Sequence, residues 1–147
     1  MRALALDLGS KRIGVAVSDL TETIASPDRV IERSGSRARD HKAIAAVVAD
    51  WEAEIVVVGL PLSLSGADGP AALATREEVA ELEAALPVPV VVHDERLTTV
   101  TASRTLSEAK MTADARRRVV DKVAAAVLLQ SWLDERASRR SRETETE

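Results

Sequence analysis

The chain has 147 residues, 46% of them hydrophobic, and a formal net charge of −4. That length supports one domain burying a single sheet under helices, with no room for a second lobe. The absence of cysteine excludes disulfides, thiolate metal sites and thiol catalysis, while the lack of Tyr and Phe, with two Trp, argues against recognition by stacking bases on rings.

The predicted elements begin with a strand over Arg2 to Leu8. Asp7 stands alone in its apolar run Ala3-Leu4-Ala5-Leu6-Asp7-Leu8. An unpaired buried charge costs more than a strand's packing returns, so such a carboxylate is paired, protonated or bound to a cation, unless it caps the following turn. Gly9 and Gly14 let the backbone turn into a second strand, Ile13 to Ser18. A third extended stretch, Ile24 to Arg33, is interrupted by Pro27 and completes an antiparallel meander. After the loop Ser34 to Arg37, the spacing Ile44, Val47, Val48, Trp51 predicts a helix with Trp51 in the core and His41 on the surface near its start. Ile55 to Gly59 is a continuous apolar run, the pattern of a strand covered on both faces. A loop from Leu60 to Gly69 leads to a helix over Ala71 to Leu86, acidic on its outer side and stopped by Pro87.

Val88 to His93 is the next strand. The tract Asp94-Glu95-Arg96-Leu97-Thr98-Thr99 lies at its carboxyl end, the edge where ligands of open α/β sheets collect, and opens a helix running to Ala109. A turn over Lys110 to Ala115 precedes a last helix, Arg116 to Asp134. The domain is expected over residues 1–135 and a disordered charged tail over 136–147. No signal peptide or membrane-spanning run is present, so a cytoplasmic protein with no membrane partner is expected.

Charge is segregated along the chain. From Ala43 to Glu95 there are ten acidic residues against the single base Arg76, and from Thr101 to Arg142 ten basic against five acidic. Such separation gives one face suited to phosphate. Asp7, Glu95 and Asp121 are hard to explain by solvation alone. If the first and fourth strands are neighbours, Asp7 and Glu95 emerge at adjacent strand ends, and a last helix slimmed by alanines 124 to 126 can lower Asp121 beside them. Three carboxylates together repel one another unless a divalent cation holds them, and an all-oxygen set points to Mg²⁺ or Mn²⁺. Such a cluster is the arrangement of metal-dependent phosphodiester hydrolysis. Strand alternation points only one of Asp94 and Glu95 toward Asp7, so Asp94 is the alternative ligand to Glu95.

Four segments, Leu6-Asp7-Leu8-Gly9-Ser10-Lys11-Arg12-Ile13-Gly14-Val15-Ala16, Val57-Val58-Gly59-Leu60-Pro61-Leu62, Asp94-Glu95-Arg96-Leu97-Thr98-Thr99 and Val120-Asp121-Lys122-Val123-Ala124-Ala125, resemble the YqgF family, also called RuvX. The resemblance spans nearly everything before the tail. Where the family commonly has Asn-Met-Asp-Gly after its Gly-Leu-Pro-Leu loop, this chain has Ser63-Leu64-Ser65-Gly66. The resemblance implies an RNase H-like fold, a five-stranded mixed sheet in the order 3-2-1-4-5 with helices on both faces. It implies a nuclease that processes the 5′ end of pre-16S ribosomal RNA in ribosome biogenesis, with Asp7, Glu95 and Asp121 as catalytic metal ligands. Holliday junction resolution on branched DNA is the alternative activity. Lys11, Arg12, Arg96, Arg116 and Arg117 become candidates for phosphate contacts, the partners being pre-rRNA and ribosomal precursor particles. The chain is expected to be a monomer or weak dimer. A kinase-type ATPase would need two lobes, which the length excludes; a non-cleaving RNA-binding scaffold is the remaining rival.

Overall fold

The structure is a computed structural model that describes residues 1–96 and 113–145, the side chains of 113–118 and 144–145 excepted. Along the chain run β1 (Ala3–Leu8), β2 (Arg12–Ser18), β3 (Ala25–Glu32), α1 (Arg37–Trp51), β4 (Ile55–Leu60), α2 (Pro70–Ala85), β5 (Val90–Asp94) and α3 (Ala113–Glu145). Asp94 ends β5, the rest of the helix expected to run to Ala109 lies beyond Arg96 outside the described residues, and the last helix begins at Ala113, within the turn expected over Lys110 to Ala115. The five strands form one sheet in the order β3-β2-β1-β4-β5. β1, β2 and β3 pair antiparallel, while β4 joins β1 and β5 in parallel. The sheet order and the meander are those expected.

Strand alternation gives the sheet two unlike faces. On one, Leu4, Leu6, Ile13, Val15, Val56 and Val58 pack against Ile44, Val47 and Val48 of α1 and Val79 and Leu82 of α2. Each large side chain buried there contributes about 1.5–3 kcal/mol. The other face is built from Ala3, Ala5, Ala16 and Val57, and it receives Ala125, Leu128, Leu129 and Leu133 of α3. Small residues on both partners let helix and sheet approach closely. The closest approach is at Gly14, where a Cβ would lie 2.0 Å from the Asp121 carbonyl oxygen.

Local signals set the helix ends. The Ser36 hydroxyl accepts from the Arg39 amide at 3.3 Å to cap α1, which ends with Glu52 in the left-handed region at φ 54°. Pro70 opens α2. Trp51 is partly buried against the core, with the Arg2 guanidinium 5.0 Å from its ring centroid. Two expectations need correction. His41 is buried rather than at the surface, because its ring bonds the Glu78 carboxylate of α2 at 2.9 Å. The last helix does not stop near Asp134: it continues to Glu145 where a disordered tail was expected. The extension consists mostly of Arg, Glu, Ala and Ser, and Arg136 and Arg140 tie it to Glu22 at 3.9 and 2.9 Å. Gln130 fixes the same helix to the start of β3, accepting from the Ala25 amide and donating to the Thr23 carbonyl, both at 2.9 Å. Among the described residues no helix is long and apolar enough to cross a membrane.

Gly14→Ala is predicted to cost about 1–3 kcal/mol, because the clash is with backbone that cannot rotate away. Chemical denaturation checks this; an unchanged midpoint would contradict the close approach.

Candidate active site

Asp7 is in register with Gly14 on one side. On the other side the last registered pair of β1 and β4 is Leu6 with Val58, so the next step along β4 is Gly59. Asp7 therefore sits at the carboxyl end of β1 between two glycines, on the face shared with Ala3 and Ala5. Each glycine clears room for an acid. Gly14 admits the α3 backbone at Asp121, and a Cβ on Gly59 would lie 2.4 Å from Glu95 Oε2. Asp121 comes from α3, and Glu95 follows β5, so it reaches toward Asp7 over Gly59 of the intervening β4 rather than from an adjacent strand end as expected.

The electrostatics match that placement. Burial, then the Asp121 charge, push the Asp7 carboxyl up to about 6. Glu95 is pushed up to about 7 by burial first and then by Asp7 and Asp94. Burial also raises Asp121, opposed by Arg12, whose guanidinium lies 3.9 Å from Asp121 Oδ2, and reinforced by Glu32. The pairing is through Asp7, which faces Asp121 on one side and Glu95 on the other. Among the described residues no three acidic or histidine side chains are already drawn into a metal cage. The donor set nevertheless fits a hard divalent cation, being all oxygen and destabilised by its own like charges, which a cation would reverse.

Asp94 turns away. It lies opposite Leu60 in the β4–β5 register, and Arg96 holds it, donating from Nε to Oδ2 at 2.8 Å and from its backbone amide to Oδ1 at 3.0 Å. Those bonds keep its carboxyl below the usual range. Glu95, one residue on, falls on the face of Asp7. Among the basic candidates, Lys11 is exposed in the turn after Asp7. Arg12 is mostly buried, reaching Glu32 at 3.6 Å as well as Asp121, so it neutralises acids from within the fold. Arg96 is held on the side of Asp94, away from Asp7, and also donates to the Leu64 carbonyl at 3.4 Å. Arg116 and Arg117 lie on the first turns of α3, their side chains outside the described part. His93 bonds Ser131 at 3.0 Å and is 3.5 Å from Glu135, a helix-docking role.

The sequence places Gly14 in the second strand, with a role shared with Gly9 in the turn before it, and Gly59 last in the fourth, before a glycine-rich loop. Both lie inside strands, and their work is to make space for acids. A lone glycine in an apolar strand beside an acid was the available signal.

The RuvX family model, described as a Holliday junction resolvase, matches residues 1–135. Proteins named "Putative pre-16S rRNA nuclease" from Myxococcus xanthus and Roseiflexus sp. are 46% and 42% identical to this chain over 134 and 133 residues, covering 91% and 90% of it and 88% and 94% of their own lengths. In fold, the chain is similar to Thermus thermophilus RuvC in complex with a Holliday junction substrate, with a TM-score of 0.57, 17% identity, and 93% and 96% of the two chains covered.

Two predictions arise from the site. Gly59→Ala meets only the movable end of Glu95 and the edge of Leu128, so it should disturb stability less than Gly14→Ala while displacing the carboxylate; denaturation of both variants compares them. Asp7 and Glu95 keep protons in the fold that the unfolded chain has already released, so in EDTA stability falls as pH rises from about 4 to 7. Mn²⁺ should therefore raise the Tm more at pH 7.5 than at pH 5. Asp7→Asn should raise the metal-free Tm at pH 7.5 and remove the response to Mn²⁺. A response that is equal at both pH values would contradict the assignment.

Proposed function

The chain belongs to the RuvX family, and from that premise we propose that it is a divalent-metal-dependent nuclease hydrolysing phosphodiester bonds of structured RNA. Its substrate on this reading is the 5′ end of pre-16S rRNA, processed in the cytoplasm on ribosomal precursor particles. One observation carries the reading. Asp7 is set between two further acids, Asp121 and Glu95, at the end of a central strand, in a chain 46% identical to a relative named "Putative pre-16S rRNA nuclease".

Asp7, Glu95 and Asp121 are the oxygen donors that would hold Mg²⁺ or Mn²⁺. When bound, the ion supplies an acidified water and neutralises charge growing on the phosphate and leaving oxygen. The chain's own residues prepare for this. Asp7 is fixed on a central strand, and so supplies the rigid member of the set. Asp121 arrives on a helix, its charge moderated by Arg12. Glu95, whose carboxyl is raised by burial and by Asp7, would have its anionic form stabilised by the bound ion. Lys11, in the turn after Asp7, is the nearest candidate for phosphate oxygens, with Arg96 offered from the end of β5 and Arg116 and Arg117 from the start of α3. Such contacts strengthen binding without selecting sequence and give it a salt dependence.

DNA junction cleavage is the second reading, favoured by the family's description as a Holliday junction resolvase. Paired cuts across a junction call for a symmetric dimer, whereas we read the chain as a monomer or weak dimer. The test is to incubate a pre-16S RNA fragment and a four-way DNA junction with the protein in Mg²⁺ or EDTA, and to repeat with Asp7→Asn. The RNA is expected to be cut only with metal and only by the wild type. Cutting of the junction alone would favour the second reading. Binding without cutting under every condition would leave a scaffold in place of an enzyme.

A further inference from the structure

A buried ionic cluster lies across the sheet from Asp7, in the layer of α1 and α2. The Arg33 guanidinium donates to both carboxylate oxygens of Glu78, at 2.7 and 2.9 Å. It also stands 3.6 Å from Asp40 Oδ2. Glu78 is bonded by His41 at 2.9 Å, and Asp40 accepts from the Ser34 amide and hydroxyl at 2.9 and 2.8 Å. The Glu78 and Asp40 side chains are only 6% and 4% exposed. Burial alone would raise the Glu78 carboxyl, but the Arg33 and His41 bonds overcome it and hold it below its usual range.

Stability is a poor explanation for such a cluster, since buried ion pairs are often matched or bettered by apolar packing. Its geometry is more informative. A fork held at both tips by Glu78 cannot rotate, and its Nε is left aimed at the Gly9 carbonyl at 3.0 Å. The Arg33 backbone amide donates to the Lys11 carbonyl at 2.9 Å, so one residue pins both ends of the turn after β1. Within that turn the Gly9 amide donates to the Asp7 carbonyl at 3.1 Å. A continuous path of bonds therefore runs from Glu78 through Arg33 and Gly9 to the backbone of Asp7.

We propose that Arg33, locked by Glu78, is a positioning residue that fixes the Gly9–Lys11 turn and thereby sets the Asp7 carboxylate for cation binding. The inference rests on Asp7 being a cation ligand. Arg33 touches neither substrate nor ion, and acts through the turn. Ligand-orienting groups of this kind typically change metal affinity about 10–100-fold when removed.

The test titrates Mn²⁺ calorimetrically into the full-length wild type, Arg33→Lys, Glu78→Gln and Asp7→Asn, and follows deuterium uptake over residues 9–11. Arg33→Lys keeps the charge but loses the fork. It is expected to weaken Mn²⁺ binding about 10–100-fold, to speed exchange in the turn, and to lower kcat on RNA with KM unchanged. Glu78→Gln, of equal size, should show the same effects more weakly and carries the comparison if Arg33→Lys folds poorly. A lower Tm with unchanged Mn²⁺ affinity in both variants would overturn the inference and leave the cluster purely structural. If the wild type binds no Mn²⁺, or Asp7→Asn binds it equally well, the reading of Asp7 falls and the Arg33 link with it. If only the Arg33 and Glu78 variants match the wild type, Asp7 stands and the link alone is lost.

Discussion

The backbone of α3 rests on β2 with nothing but the hydrogen of Gly14 between them. That contact determines how far the last helix can descend onto the sheet, and so whether Asp121 reaches the end of β1 where Asp7 emerges. The rest of that face is adapted to it. Ala3, Ala5 and Ala16 on the strands and Ala125 on the helix keep the interface thin, while Leu128, Leu129 and Leu133 supply the apolar burial that holds the helix down. The opposite face, with leucine, isoleucine and valine against two helices, carries the bulkier core. The protein thus has a thick face that carries most of the apolar burial and a thin face on which α3 comes down close to the end of β1.

The thin face holds charges that a fold selected for stability alone would avoid. Asp7, Glu95 and Asp121 each have their protonation favoured by burial and by an acidic neighbour, and Arg12 offsets this only at Asp121. Local rules are broken in this way where function requires it, with the surrounding packing supplying the compensation. Arg96 and Asp94 restrain the strand end from the far side, so that Glu95 alone of the adjacent acids is directed inward.

Much of this was legible in the residues. Asp7 declared itself as a lone acid in an apolar strand, whereas the placement of β1 beside β4 came from the family resemblance and not from the residues alone. Alternation reduced Asp94 and Glu95 to a choice of one, but choosing needed the register of β5, because neither residue has a local pattern that fixes which side it faces. Gly14 was misread since a glycine near a turn and a glycine making room for a helix look alike in one dimension. Arg33 and Glu78 stand 45 positions apart on elements joined only in the folded state, so no periodicity could pair them. The extension of α3 was missed because a charged stretch without core formers has the composition of a tail, and its ties to Glu22 lie more than a hundred residues away.

A crystal of the wild type soaked in Mn²⁺, with anomalous scattering collected to locate the ion, addresses the shared-cation site itself. The site described here predicts a peak between β1, the end of β5 and α3, with oxygens of Asp7, Glu95 and Asp121 drawn in to about 2.1–2.2 Å. Manganese bound elsewhere, with those three carboxylates still apart, would contradict it.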